Sequence, residues 1–326
     1  MNSPIEQEAQ IRNAAGWLTL ANWTILEIRG PERQRFLHSF CTNDITGLTD
    51  GQMCEAFVTN VKGRILAHVF VLHQGDRLMV ITVPECHASL LKHLQLYLLG
   101  LDAEIHDLTT TYTLSCLCGP KVPERWASQW PARLPCEVNL VTELRESRTL
   151  MACVDLLLPN CWLIVTPSEQ QAELAAKLQA AGIDAVRSEV FDLLRIEAGF
   201  PWSGRDVTEE HLAQEAARTK QAISFRKGCY LGQEPIARLD AMGHTNRELR
   251  ILQLTGEHPA LTGAIVRDGD KDVGVVTSCS VSSTHRDTVA LSVIRVKSAE
   301  PGASLMVAMA DAAPIPAMVR WPKLVR

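Results

Sequence analysis

The sequence predicts an α+β protein in which a mixed α/β region precedes a small C-terminal β-barrel or β-sandwich. Strands alternate with helices in the first part of the chain, whereas the residues after Arg247 form short strand patterns joined by turns, with no helix. The 326 residues, 46% of them hydrophobic and 21% charged, are enough for about two domains with ordinary cores. We place the boundary near Gly243, which gives domains 1–243 and 244–326.

The first part of the chain opens with a predicted strand, a helix and a hairpin. Trp23 to Ile28 has the β-branched and apolar content of a strand, and Pro31 suits the first turn of the helix that follows. Met53 to Thr59 and Arg64 to Leu72 predict two paired strands. The loop between them, Asn60 to Gly63, ends in a glycine that suits a tight turn.

Three later helices are predicted from apolar residues at helical spacing, each between a suitable first residue and a terminating glycine. Pro84 begins the first helix, which Gly100 ends; Ser168 is predicted to cap the second, closed by Gly182, and Ser188 to cap the third, which ends at Gly199. Between the first two helices the chain reads mostly as strands, interrupted by the proline-rich segment 119–135. The predicted strands of the C-terminal domain are Arg250–Leu254, Ala264–Arg267, Val273–Ser278, Thr288–Val296 and Leu305–Met309.

Charge balance and cysteine usage restrict the classes of function. The 32 basic and 37 acidic residues give a net charge of -5, so no overall field concentrates nucleic acid, and we expect none to bind directly. The N-terminal residues lack a signal-peptide pattern, and no apolar run approaches the ~20 residues of a membrane span. The cysteines include no Cys-x-x-Cys pair. We therefore predict a cytoplasmic monomer with reduced thiols.

The segment Lys227–Glu234 is the strongest candidate for a functional site. Two cations precede Cys229 and favour a thiolate over a thiol, and a helix beginning at Cys229 would act in the same direction. Two glycines in the segment permit a close approach of the backbone to a ligand or another element. Glu234 and Arg238, four residues apart, predict an ion pair on one helix face. The alternative is a cysteine packed in the core as a small hydrophobe.

A second candidate is Glu197, which lies at a predicted helix end, where the helix dipole disfavours a carboxylate. A residue placed against its local preference is a candidate for binding a partner, and a carboxylate accepts two parallel hydrogen bonds from the amino-pyrimidine edge of a pterin or purine. The alternative is a solvated glutamate, or an ion pair with Arg195 or another basic residue. Cys116 and Cys118 share a strand face, but no further ligand has suitable spacing, so we predict no metal site.

Five motifs occur in a recognisable order along the chain. They are Arg29-Gly30-Pro31, Thr42-Asn43-Asp44, Ile196–Pro201, Lys227–Glu234 and Gly274–Ser278. Together they resemble the T-protein (aminomethyltransferase) superfamily of the glycine cleavage system, and more closely its YgfZ branch of folate-binding, iron–sulfur-cluster maintenance proteins. The Lys-Gly-Cys-Tyr-x-Gly-Gln-Glu run is the most specific motif, and the resemblance spans residues 17–296.

The resemblance implies a T-protein-like cloverleaf of mixed α/β folate-binding lobes around a central hole that holds tetrahydrofolate, with a C-terminal β-barrel. Glu197 matches the family glutamate that binds the pterin ring, and Cys229 matches the signature cysteine of the YgfZ branch. We expect Lys227 and Arg238 to hold the anionic tail of the folate or to set the charge around Cys229. Tyr230 is a candidate for stacking on the pterin ring, with core packing as the alternative.

The chain departs from the transferases at one informative place. Members that transfer the aminomethyl group carry an Asp-Asp pair on the strand after the first hairpin loop, where this chain has Leu66-Ala67. Neither of these side chains handles a proton, and His68 would point to the opposite face of the strand from Ala67. The resemblance therefore implies a folate pocket without the transferase chemistry.

The leading hypothesis is a tetrahydrofolate-binding accessory protein that supports the assembly or repair of 4Fe–4S clusters in client enzymes, including those that thiolate transfer RNA. Cys229 would act as a redox-active thiolate or contact sulfur or a cluster, with iron–sulfur client or assembly proteins as partners. One alternative is a folate-dependent one-carbon transferase that uses another acid, with Asp44 and Glu55 as candidates. The other is a ligand-free scaffold that acts through protein contacts.

Overall fold

The computed structural model describes residues 3–157, 160–309 and 313–322. Two sheets with their helices form the first part, and a closed barrel forms the second. The elements of the first part are α1 (Pro4–Asn13), β1 (Gly16–Leu20), β2 (Thr24–Arg29), α2 (Arg33–His38), β3 (Gln52–Thr59), β4 (Ile65–Gln74), β5 (Arg77–Thr82), α3 (His87–Leu96), β6 (Glu104–Asp107), β7 (Tyr112–Cys118), α4 (Val122–Ala127), β8 (Val141–Leu144), β9 (Thr149–Val154), β10 (Cys161–Pro167), α5 (Gln171–Ala180), β11 (Asp184–Ala185), α6 (Ser188–Ala198), α7 (Thr219–Ala222) and α8 (Gln233–Met242).

The two sheets of the first part share one hydrophobic core. One sheet has the strand order β3-β4-β5-β2-β6, and the other has the order β11-β1-β7-β10-β9-β8. The predicted hairpin is formed by β3 and β4, in which Phe57 lies opposite His68 and Val58 opposite Ala67. A backbone bridge between Gln52 and Leu140 links the edges of the two sheets. The resulting pair of mixed α/β lobes confirms the predicted fold class.

A closed six-stranded barrel follows the lobes, as predicted. Its strands are β12 (Arg247–Thr255), β13 (Ile265–Asp268), β14 (Lys271–Ser282), β15 (Asp287–Arg295), β16 (Ser304–Val307) and β17 (Ile315–Arg320). They close in the order β12-β15-β14-β13-β16-β17. The sequence prediction missed β17, which pairs with both β12 and β16 and thereby closes the barrel.

Several local predictions differ from the structure. The helix predicted to begin at Pro84 starts with one 3-10 turn and ends at Leu96, short of Gly100. No side-chain cap is made by Ser168 or Ser188, because each lies just inside its helical segment. The proline-rich excursion contains α4, whose proline occupies the first helical turn, where the missing N–H costs nothing. Helix α1 was also missed, although Ser3 and Glu6 form a capping box at its start.

A buried network of hydrogen bonds connects the barrel to the lobes. Arg195 in α6 is fully buried, and its Nη1 donates to the Asp206 carboxylate at 2.8 Å. Asp206 in turn accepts 2.6 Å hydrogen bonds from the hydroxyls of Thr277 and Ser278 in β14. A buried charge needs such complete pairing. The Thr-Ser pair of the fifth sequence motif therefore docks the barrel onto α6.

A second buried network joins the segment before α7 to the first sheet. Arg218 is fully buried, and its Nε donates to Glu55 at 2.7 Å while its Nη2 contacts the other carboxylate oxygen. His68 Nε2 lies 2.7 Å from the same carboxylate. Burial alone would raise the pKa of Glu55, but the charge of Arg218, aided by His68, lowers it to about 2. Glu55 is thus held ionised.

Replacing Glu55 with Gln leaves the buried Arg218 guanidinium without its counter-charge. We expect the free energy of unfolding at neutral pH to fall by about 3–5 kcal/mol. The folded pKa lies below the ordinary value of 4.5, so the stabilisation by the carboxylate is complete above that value and is lost as the pH falls towards 2. In urea unfolding, the stability difference between the wild type and Glu55→Gln should therefore be smaller at about pH 3 than at about pH 6.

The exposed Glu104 provides a matched control, since its side chain is 75% exposed and Glu104→Gln should leave stability nearly unchanged at each pH. A stability loss in Glu55→Gln that is the same at every pH would contradict the depressed pKa of Glu55.

Candidate functional site

Lys227 anchors the loop that carries the signature motif. Its Nζ donates to the carbonyl oxygens of His38 and Cys41, each at 2.6 Å, and of Asn43 at 3.1 Å. These contacts use all three donors of the ammonium group. Burial lowers the pKa of Lys227 to about 8. The arrangement favours a supporting role for Lys227 over the predicted role in holding a folate tail.

The other end of the loop is tied to the same region. The backbone N–H of Leu231 donates to the Ser39 carbonyl at 2.9 Å, and the Thr59 hydroxyl donates to the Leu231 carbonyl at 2.8 Å. Gly232 has a φ of 83°, and a β-carbon there would collide with the Asn60 carbonyl. The close backbone approach expected for this glycine therefore occurs against the β3–β4 hairpin.

Cys229 is exposed between these two attachments. Among the ten cysteines, all of which are free, only Cys136 is also exposed. The interpretation of Cys229 as a core residue is therefore wrong. The expectation of a helix N-terminus at Cys229 is also wrong, because α8 begins four residues later, at Gln233.

The remaining residues of the motif have separate environments. Tyr230 is buried with Phe57 and Ile236, and its ring centroid lies 4.7 Å from the Lys227 ammonium. Core packing thus accounts for the aromatic ring, which is not open to a pterin. Glu234 and Arg238 are exposed on α8, and within the described ranges they do not form the predicted ion pair. Long exposed side chains gain little from such a pair.

Glu197 lies in a different part of the molecule, where α6 meets α1 and the barrel. Its Oε2 accepts a 2.7 Å hydrogen bond from Arg12 Nη2, so the alternative of an ion pair with another basic residue is correct. A cavity of about 490 Å³ opens beside this pair; we call it the Glu197 cavity. Its wall includes Arg12, Glu197, Gln253, Asp287 and Trp321.

The Glu197 cavity has the chemistry to hold a flat polar ring. In the described part of the chain, Glu197 Oε1 has no hydrogen-bond partner, so the carboxylate can still accept from a ligand. Arg250 stacks 3.7 Å from the Trp321 ring centroid and covers one face of the indole. Gln253 and Asp287 add an amide and a carboxylate to the same wall. The volume is within the range of small-molecule sites.

A second cavity, of about 460 Å³, lies between the two sheets and α7. We call it the Asp155 cavity; its polar wall includes Asn43, Asp44, Glu55, Asp155 and Lys220. Lys227 reaches this wall indirectly, because it holds the Asn43 carbonyl. Burial raises the pKa of Asp155.

Glu197 and Leu66, one of the two positions of the missing aspartates, line different cavities. Ala67 is fully buried in the core, and Leu66 lines a third cavity together with Ser203. His68 points to the other face from Ala67, as predicted, and stacks 5.0 Å from the Phe200 ring. The strand after the hairpin therefore presents no carboxylate at these two positions.

Three residues that matter around these sites were missed in the sequence. Arg12 meets Glu197 across 185 positions, and Arg218 meets Glu55 across 163. His38 lies under the signature loop, with its Nε2 3.8 Å from where a β-carbon of Gly228 would be. No local spacing predicts contacts between residues so far apart in the chain.

None of the helices in the described ranges combines the length and apolar character that crossing a bilayer requires. Across those same ranges, no cluster of three or more His, Cys, Asp or Glu side chains is arranged to hold a metal ion.

Comparisons with known proteins agree with the fold and the motifs. Residues 1–132 match the GCVT N-terminal domain, and residues 247–325 match the glycine cleavage T-protein C-terminal barrel domain. The structure superposes on the aminomethyltransferase T of the glycine cleavage system from Bartonella henselae with a TM-score of 0.88, at 20% identity, covering 99% of this chain and 90% of the other.

Two groups of relatives are similar in sequence. An aminomethyltransferase from Rubrobacter xylanophilus is 25% identical over 293 residues, covering 89% of this chain and 78% of its own. The tRNA-modifying protein YgfZ of Photorhabdus laumondii is 27% identical over 235 residues, covering 71% of this chain and 68% of its own. With both T-protein domains matched in order and YgfZ proteins among its relatives, the chain belongs to the YgfZ/T-protein-like family.

Proposed function

We propose that this protein is a cytoplasmic, tetrahydrofolate-binding accessory factor without aminomethyl transfer. It supports the assembly or repair of iron–sulfur clusters in client enzymes, including enzymes that modify transfer RNA. The observation that carries the proposal is the exposed thiol of Cys229 on a loop fixed at both ends by Lys227 and Leu231. A fixed and exposed thiol suits repeated contact with partner proteins.

The alternative of a one-carbon transferase has weaker support. Leu66 and Ala67 replace the acid that the transferases use, and the two substitute acids proposed from the sequence are already engaged. Glu55 forms a buried ion pair with Arg218, and its pKa of about 2 makes it a poor proton donor near neutral pH. Asp44 accepts hydrogen bonds from Thr46 and Gly47, which lower its pKa against the opposing effect of burial.

The Glu197 cavity is the folate site in this proposal. The Glu197 carboxylate can accept hydrogen bonds from the amino-pyrimidine edge of the pterin. The face of Trp321 that Arg250 does not cover can stack on the pterin ring. Arg12 fixes the position of the carboxylate by its 2.7 Å contact.

Calorimetric titration with tetrahydrofolate tests the ligand and its site. We expect the wild type to bind, and Glu197→Gln to lose about tenfold to a hundredfold in affinity, because hydrogen bonds to a charged group contribute about 1.5–3 kcal/mol. Asp155→Asn is the matched control, since it alters a carboxylate in the other cavity. Unfolding midpoints of both variants verify that the fold is intact.

The possible outcomes separate the alternatives. No heat of binding by the wild type at high ligand concentration would favour the ligand-free scaffold. Loss of affinity in Asp155→Asn but not in Glu197→Gln would move the folate into the Asp155 cavity. Turnover of an aminomethyl or formaldehyde donor with tetrahydrofolate would favour the transferase instead.

Replacing Cys229 with Ser in cells should lower the activity of cluster-dependent enzymes, such as those that thiolate transfer RNA, to the level seen without the protein. The thiol is lost while the loop attachments at Lys227 and Leu231 remain. Cys136→Ser removes the other exposed thiol and should have no effect. Normal client activity at normal levels of the Cys229→Ser protein would contradict the role given to Cys229.

A further inference from the structure

A cavity of about 1050 Å³ lies where the barrel meets the segment that leads into it; we call it the Arg295 cavity. Its wall includes residues 244–247, the hairpin of β13 and β14, and the end of β15 with the residues that follow it. The volume is more than twice that of the Glu197 cavity. Arg247, at the start of β12, lines the Arg295 cavity, whereas Gln253, near the other end of that strand, lines the Glu197 cavity.

Two arginines lie side by side on the wall of the Arg295 cavity. Arg247 of β12 and Arg295 of β15 are directly opposite each other in the antiparallel pair, and both line the cavity. Like charges in this arrangement repel each other and destabilise a sheet. Glu215 compensates Arg247, because its Oε1 accepts from Arg247 Nε at 3.0 Å. Arg295 is exposed, and in the described part of the chain it has no ion-pair partner.

Further cations around the Arg295 cavity lack a counter-charge. Arg64 Nη1 donates to the Glu210 carbonyl at 2.5 Å, and Arg247 Nη2 donates to the same oxygen at 2.6 Å. A carbonyl oxygen carries no net charge, so this contact orients the two guanidinium groups without neutralising them. Lys271 and Lys297 are exposed on the wall, and neither is ion-paired within the residues that the structure describes.

The carboxylates of the wall compensate only part of this charge. Asp272 is paired with Arg267 at 2.8 Å, and Asp268 accepts from Ser298 Oγ at 2.7 Å. Glu210 is exposed, and in the described ranges its carboxylate has no cationic partner. When the directly bonded neighbours are included, six Lys and Arg side chains meet four carboxylates at this cavity, on a chain whose net charge is -5. A local excess of positive charge attracts anions.

Apolar side chains form the floor between these charges. Ile265, Val275 and Val293 come from the three neighbouring strands β13, β14 and β15, and all of them line the cavity. Val275 lies opposite Ile265 and is 41% exposed. An apolar floor with unpaired cations at its rim suits a ligand that combines several negative charges with an uncharged body.

We propose that the Arg295 cavity binds an organic polyphosphate. The phosphate groups contact Arg295, Lys271 and Lys297 at the rim, and the organic part lies on the apolar floor. Guanidinium groups form paired hydrogen bonds with phosphate oxygens, and ammonium groups bind phosphates as point charges. Because the cations are spread over several strands, the ligand needs several charged groups. This site goes beyond the proposed function, since it involves neither the Glu197 cavity nor Cys229.

Calorimetric titration of the full-length protein with adenosine triphosphate tests the site. The buffer contains no divalent cations, because these would neutralise the phosphates. Inorganic tripolyphosphate is the probe without an organic part, and adenosine is the probe without phosphates. We expect adenosine triphosphate to bind, tripolyphosphate to bind more weakly, and adenosine to give no detectable heat.

Arg295→Gln and Lys271→Gln each remove one exposed cation from the rim. We expect each substitution to weaken the binding of adenosine triphosphate about tenfold, because a hydrogen bond between charged groups is lost. Arg286→Gln is the matched control, since Arg286 is an arginine with an 82% exposed side chain at the opposite end of β15, and its affinity should equal that of the wild type. Unfolding midpoints verify that the three variants are folded.

Absence of binding by both phosphate probes at high concentration would overturn the proposal, as would an unchanged affinity in Arg295→Gln or an equal loss in Arg286→Gln. Tripolyphosphate that binds as tightly as adenosine triphosphate would overturn the role given to the apolar floor. Single-stranded oligouridylate is the final competitor. If it displaces adenosine triphosphate and binds more tightly, the small ligand is rejected in favour of a nucleic-acid backbone; failure to compete supports a free organic polyphosphate.

Discussion

The ammonium group of Lys227 is the interaction on which the candidate thiol site depends. It is buried, and it holds three carbonyls at the end of α2 and in the turn that follows. A buried cation is stable only when its donors are satisfied, so the loop and the turn must fold together. Every other feature of the site follows from this packing: the placement of Cys229 at the surface, of His38 beneath the loop, and of Asn43 at the wall of the Asp155 cavity.

The glycines of the motif and the lysine act for different physical reasons. Gly232 is needed because its backbone adopts a positive φ and touches the β3–β4 hairpin, where any side chain would collide. Gly228 has no such constraint, and its missing side chain leaves room above the His38 ring. In the order Lys-Gly-Cys-Tyr-x-Gly, the lysine holds the loop in place and the first glycine leaves space above the His38 ring. The cysteine exposes its thiol, the tyrosine packs in the core, and the second glycine contacts the hairpin backbone.

Local patterns predicted the elements whose partners are near in sequence, such as the hairpin of β3 and β4 and the helix end at Gly199. They also singled out Cys229, for its flanking cations and glycines, and Glu197, for its position against the helix dipole, as candidates. The contacts that give these residues their environments, Arg12 with Glu197 and His38 with the signature loop, join distant parts of the chain. Nothing in the spacing of a single sequence fixes such pairs, and the buried role of Lys227 was missed for the same reason.

The two candidate sites are supported by different parts of the molecule. Glu197 depends on α1 and the barrel, whereas Cys229 depends on α2, the hairpin and α8. The strand with Leu66 and Ala67, β4, contains no acidic residue and adds no acid to either site. A substitution at one site can therefore leave the other intact. A transferase differs, because its cofactor and its catalytic acid must be held together at the reacting atom. The physical separation fits a protein in which ligand binding and thiol chemistry are distinct tasks.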